Sequence, residues 1–226
     1  NCKIEDEILY KDKGFDEFCK KCFAVGNLYN NHMVLQRQYD FIWCILAKAF
    51  LIKIDRSCKN KFDILLEFCL NDLKCAMHQE LYLLALYFKN DPSIGRVFAK
   101  LSKDYNKGIE YALENTTWDL FHSRMTFEHT RFYDTVENRV ILPYFATNDK
   151  GVYQYLSKCL FKAVIIDHGK MIPAYRSSIE LSSYIMNESL QFQLYDEEHI
   201  VKRKVDVTQV NINLIKSKLL QELKTI

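Results

Sequence analysis

The chain of 226 residues carries 31 Lys and Arg against 29 Asp and Glu, a formal charge of +2. That balance excludes nucleic-acid affinity resting on bulk charge, so any such site must be local. With 49% hydrophobic and 27% charged residues but only 6 Gly and 3 Pro, the composition excludes disordered, collagen-like and repeat architectures and predicts a compact, helix-rich fold.

The longest apolar run, Phe41 to Ile54, contains Lys48 and Lys53 and falls short of the roughly 20 residues needed to cross a bilayer. The chain begins with Asn1 rather than Met and shows no signal-peptide pattern, so its true start is expected to be missing and the protein is expected to be soluble and cytoplasmic. Of its 8 cysteines, Cys44, Cys69, Cys75 and Cys159 fall in apolar, helix-like segments, as reduced buried thiols do. Cys19 and Cys22 form one CxxC. A structural zinc would need two further ligands, for which His32 and Cys58 are candidates.

In chain order, apolar residues recur at helical spacing from Phe15 to Val25 and from His32 to Ala49, predicting two opening helices. The run from Ala49 to Asp55 reads as a short buried strand, with a continuing helix as the alternative. From residue 62 to 88, Phe62, Leu65, Leu66, Cys69, Leu73, Met77, Leu81, Leu84 and Phe88 form one apolar stripe, as two helices or one kinked helix. Asp91 and Pro92 predict a helix start. That helix runs to Leu113 and aligns Arg96, Lys100, Lys103 and Lys107 on an exposed face.

Asn115, Thr116 and Thr117 offer caps for a helix from Trp118 to Thr130. Arg139 to Asp149 reads as a strand, Gly151 to Leu160 as a helix, and Lys162 to Asp167 as a second strand before a turn at His168 and Gly169. Strand, helix, strand implies a right-handed parallel crossover. The tail predicts a helix from Ser177 to Leu190, a short segment from His199 to Val205, and an amphipathic helix from Thr208. Without repeats or a linker, the parse is an N-terminal helical extension over residues 1–48 and one domain over 49–226.

Four acids stand out. Glu80 lies on the apolar stripe, where an unpaired carboxylate costs several kcal/mol; it either finds a partner at the stripe's edge or points into an acidic cleft. Asp55 and Asp149 each close a strand-like run, and strand ends in an open parallel sheet share one crevice. Asp119 sits in the predicted first turn of its helix, where the helix dipole independently favours an acid. Together Asp55, Glu80, Asp119 and Asp149 form a candidate carboxylate cluster for Mg²⁺ or Mn²⁺, ions that assist phosphodiester hydrolysis.

Trp118-Asp119-Leu120-Phe121-His122-Ser123-Arg124, followed by Leu142 to Lys150 with Thr147-Asn148-Asp149, resembles the second half of a PIN-domain-like nuclease of bacterial toxin and phage-defence systems. The resemblance covers about residues 50–170. It implies a three-layer α/β/α fold with a small parallel sheet and a Mg²⁺- or Mn²⁺-dependent RNase centre. Glu80, Asp119 and Asp149 would bind metal, Thr147 would orient Asp149, and Arg124 and His122 would face the phosphate. The family's first-strand acid is matched only by Asp55, followed by Arg56-Ser57; Asp40 is a poorer substitute.

Arg124 and His129 also form an Arg-x4-His motif similar to that of HEPN ribonucleases, all-helical enzymes that cleave RNA without metal. Arg supplies phosphate contact and His acid-base capacity near neutral pH. The stripe Arg96, Lys100, Lys103 and Lys107 is either a solvated face or a track for an RNA backbone. The 14 tyrosines lack an RNP-type motif, so the aromatics are assigned to core and interface. The leading expectation is a PIN-like metal-dependent endoribonuclease with RNA as substrate. A catalytically silent α/β interaction module and the HEPN-type enzyme are the alternatives. A regulatory protein partner or a homodimer is possible, with Phe18, Phe23, Phe41 and Trp43 either packing on the core or forming the dimer surface.

Overall fold

The computed structural model describes residues 32–102, 106–128, 133–134, 139–140, 148–158, 161–167, 170–175 and 180–226. By its contacts the chain divides into two compact units, residues 1–38 and 39–226. The smaller one is described only over 32–38, the opening turns of helix α1 (His32–Ile54).

Within the larger unit, α1 is followed by α2 (Lys61–Asn71), α3 (His78–Phe88) and α4 (Ile109–Glu128). Two central helices are apolar nearly all round. Residues 41–47 of α1 and 79–86 of α3 are all buried, the condition of a helix enclosed by others. Ala49 to Asp55 allowed both a strand and a continuing helix, because a short apolar run has no period to distinguish them; the helix is what forms. The run continues α1. Asp55 N–H donates to the Leu51 carbonyl at 3.2 Å, and the Lys61 ammonium donates to the carbonyls of Ile52, Lys53 and Asp55 at 2.9, 2.8 and 2.7 Å. A cation there answers both the unpaired carbonyls and the negative end of the helix dipole. Lys53 does the same for α3, donating to the Tyr87 carbonyl at 2.8 Å.

The apolar stripe of residues 62–88 resolves into α2 and α3, which pack together. The helix expected from Pro92 to Leu113 does not form. A 3₁₀ turn, Pro92–Ile94, is capped by Asp91, and turns follow in which Val97 N–H bonds Ile94 and Leu101 N–H bonds Phe98. Gly108, at φ +82°, occupies a left-handed conformation open to glycine and precedes α4. Ile94, Phe98 and Leu101 are still buried, so the turns satisfy the same apolar spacing.

Helix α4 passes straight through the expected cap. Thr116 and Thr117 are buried mid-helix, and the Thr117 hydroxyl donates to the Leu113 carbonyl at 2.7 Å, the i−4 back-bond that lets a threonine sit inside a helix.

Beyond α4 come β1 (Tyr133–Asp134), β2 (Arg139–Val140), α5 (Lys150–Lys158), β3 (Phe161–Asp167) and β4 (Lys170–Tyr175). β1 pairs with β2, and β3 with β4, both antiparallel. The three-layer α/β/α fold with a parallel sheet is therefore overturned. The described residues are mostly helical, the first expected strand is helix, and the strand at 161–167 pairs with its immediate successor. A partner two residues along the chain needs no crossover connection. Of the expected helix at 177–190, the described part holds a 3₁₀ turn Leu181–Tyr184 and the start of α6 (Glu188–Tyr195), followed by α7 (Glu197–Asp206) and α8 (Ile212–Leu223). Asn187, Asp196 and Asn211 cap α6, α7 and α8 through side-chain bonds to backbone N–H groups.

Phe41 and Trp43 are core residues, 4% and 2% exposed, which removes them from the expected dimer surface. Phe18, Phe23, Cys19 and Cys22 lie outside the described residues. No described helix is long and apolar enough to cross a membrane.

Candidate functional site

A small cleft forms where α4, the start of α5 and the turns after Ile94 meet. Arg96, Lys100, Asp119, Asp149, Gly151 and Tyr155 are among its lining residues, around a cavity of about 40 Å³. That volume holds about three waters. An oligonucleotide would have to lie across its mouth.

Each wall has a local cause. Asp149 ends the segment before α5 and caps it, its Oδ1 accepting from Gly151 N–H at 2.6 Å and Val152 N–H at 3.0 Å. A carboxylate offers about four acceptor sites, so capping does not exhaust it. The Arg96 segment is pinned to α5 by its own N–H, which donates to Gln154 Oε1 at 2.9 Å. Gly151 makes this approach possible: a Cβ there would lie 3.1 Å from the Arg96 carbonyl oxygen and 3.0 Å from Asp149 Oδ1. Tyr155 closes the floor and donates to Gln79 Oε1 on α3 at 3.2 Å.

Asp119 lies in the middle of α4 rather than in its first turn, so the dipole argument for an acid there does not apply. Burial pushes its carboxyl above the ordinary value of 3.8; the Asp149 charge pushes the same way, while Lys100 and His122 pull it back. Asp119 and Asp149 line the same cavity, and a cation between like charges relieves their repulsion. Their oxygens are the hard donors that Mg²⁺ and Mn²⁺ take, and Mg²⁺ commonly uses one or two carboxylates with water and phosphate oxygens completing the set. Among the described residues, no group of three or more His, Cys, Asp and Glu could hold a metal ion.

Glu80 takes the structural role that its position on the stripe allowed. It is 0% exposed, and Arg124 Nη1 on α4 donates to its Oε2 at 2.6 Å. Its Oε1 has no hydrogen-bond partner among the described residues, a costly state for a buried acceptor. Glu80 is thus tied to Arg124, while its neighbour Gln79 reaches the cleft through Tyr155. Arg124 faces an interior carboxylate and His122 is exposed on α4.

Asp55 does not join the other acids. It follows α1 and lines a different hollow of about 480 Å³ with Lys48 and Glu222. Its Oδ1 accepts from Ser57 N–H and Oγ at 2.8 and 2.7 Å, and its Oδ2 accepts from Cys58 Sγ at 3.2 Å. The Ser57 hydroxyl, the Cys58 thiol and the Ser57 N–H hold its carboxyl down at about 2. The substitute Asp40 is paired with Lys216 Nζ at 2.7 Å.

The basic stripe is not a helix face. Arg96 and Lys100 line the cleft, whereas the Lys107 ammonium sits over the Tyr111 ring, 4.9 Å from its centre. Lys103, Thr147 and His129 lie outside the described residues. Sequence reasoning missed Gly151, Gln154 and Tyr155 as parts of the cleft; a glycine two residues after a capping Asp was the available sign of a close approach. Comparison with protein-family models, curated proteins and solved structures finds no match to the chain.

Proposed function

We propose that the cleft between α4 and α5 is the active centre of a metal-dependent endoribonuclease. Asp119 and Asp149 would hold a Mg²⁺ or Mn²⁺ ion, and Arg96 and Lys100 would receive the RNA phosphates. One observation carries this reading: two carboxylates and two cations, from three separate segments, line a single cavity. The ion supplies charge neutralisation on the phosphodiester and activation of water. Asp149 is held in place by the N–H groups of α5, and the Arg96 backbone is bonded to the same helix, so α5 positions both the acid and the segment that carries the cation. Arg offers a planar bidentate contact to phosphate and Lys a point charge.

The reading rests on the cleft and not on a PIN-like topology. Glu80 and Arg124 support the wall from within, and His122 stands at the outer edge of Asp119. A cytoplasmic toxin or phage-defence effector is the setting that such an activity suits.

The predominance of helix favours a second reading, the metal-free mechanism through Arg124 and His129. Incubation of the protein with end-labelled single-stranded RNA and Mn²⁺ separates the two. Cleavage is expected to vanish with EDTA and in Asp119→Asn and Asp149→Asn. Cleavage that survives EDTA and is lost in His129→Ala transfers the activity to the Arg-x4-His pair. RNA left intact under all conditions leaves the silent interaction module.

A further inference from the structure

Trp118, immediately before Asp119, is 48% exposed. Such exposure is unusual for the largest apolar side chain, and its surroundings form a built platform. The ring lies 4.8 Å from Tyr39 and 5.1 Å from His122, both tilted, and meets Phe121 edge-on at 5.8 Å. Tyr39 is itself backed by Lys216, whose ammonium lies over its ring and bonds Asp40. On a helix of about 3.6 residues per turn, His122 falls between Trp118 and Asp119, about 40° from the first and about 60° from the second. The platform therefore adjoins the acid of the cleft, with Arg96 and Lys100 beyond it.

We propose that Trp118, with His122, is a base-stacking platform that selects single-stranded RNA, seating an unpaired base on the indole while the backbone crosses Arg96 and Lys100. The inference rests on the reading of the cleft as an RNA phosphodiesterase and names its substrate class. Charge and ring chemistry together fit this occupant: aromatic faces stack any unpaired base, and adjacent cations track the phosphates. In a duplex the bases are already stacked on one another, so the indole gains nothing from it.

The sequence contains 2 tryptophans, and the other, Trp43, is 2% exposed, so changes in indole emission on binding report Trp118. The protein is titrated in EDTA, to suspend cleavage, with an RNA of about ten nucleotides, with its abasic analogue and with the duplex. Quenching is expected with the single strand alone. Trp118→Ala should weaken binding, measured by anisotropy of labelled RNA, by about tenfold to a hundredfold, and Trp118→Phe should restore most of it. An unchanged melting curve for Trp118→Ala excludes misfolding as the cause. Equal binding of the abasic or duplex ligand overturns the proposal. So does emission that changes with protein concentration alone, which would mean that a second copy covers the ring. Mn²⁺-dependent cleavage with an unaltered KM in Trp118→Ala sinks the platform and leaves the nuclease reading standing. Base-dependent quenching without cleavage under any condition supports the platform and removes the nuclease reading.

Discussion

Two polar constellations on the same helix differ in one respect, access to water. At Arg124, α4 turns inward and meets Glu80, which is 0% exposed; at Asp119, a little more than one turn earlier, it borders a cavity shared with Asp149, Arg96 and Lys100. Removing either partner of the buried pair would strand a charge in a poor solvent for ions. The cleft gathers two carboxylates and two cations around one cavity, an arrangement that a bound cation or phosphate can complete. Carboxylates of identical chemistry are thus divided into support and candidate chemistry by burial and by partner.

The largest effect expected from breaking this contrast lies at the buried pair. Glu80→Ala or Arg124→Ala should each cost about 3–5 kcal/mol in urea unfolding, because each leaves its partner charged and buried. The double variant Glu80→Leu/Arg124→Met should recover most of that loss. Equal losses in the single and double variants would show that packing, not the charge pair, matters there.

In the cleft, Asp149→Ala should cost about 0.5–2 kcal/mol through the lost cap of α5 and should abolish metal-dependent cleavage. Asp149→Ser, which can still cap, should regain the stability without the activity. That split separates the two jobs of one carboxylate.

Smaller effects appear as pH dependence. The Asp119 carboxyl titrates above 3.8 in the fold, so the native state holds its proton more tightly than the unfolded chain. Its contribution to stability therefore falls as pH rises from 3.8 through the raised value. Asp119→Asn should flatten that slope and be more stable than the parent at pH 7, as read by denaturant midpoints at pH 4 and 7. Saturating Mg²⁺ should raise the parent midpoint and leave the variant unmoved. Asp55 has the opposite sign. With its carboxyl near 2, its contribution is present above 3.8 and lost as pH falls through about 2. Ser57→Ala should move the Asp55 carboxyl resonance back toward 3.8 in an NMR titration, with little change in global stability.

Some of the site was legible in the chain. Glu80 was marked as an anomaly by its place on an apolar stripe, and Asp149 by its place at the end of a strand-like run and of Thr147-Asn148-Asp149. Asp119 and Asp149 were grouped through the resemblance to PIN-like nucleases, with Asp149 at a strand end and Asp119 in the first turn of a helix, whereas the middle of α4 and the capped start of α5 bring them to one cavity. Asp55 was included as the close of another strand-like run. Its run of apolar residues had no readable period, and once that run is helix the acid lies after the end of α1, bonded to Ser57 and Cys58.

What the sequence by itself determined is local. Its composition determined a helix-rich core, and its apolar spacing determined α2, α3 and α8. Only the tertiary structure decided which polar groups became partners. Glu80 met Arg124 because α3 and α4 bury those faces, and Lys100 joined the acids because the chain turns after Ile94 instead of continuing as helix. Trp118 was left exposed by the same packing. Periodicity acts over a few residues, while desolvation and charge pairing depend on neighbours brought from far along the chain.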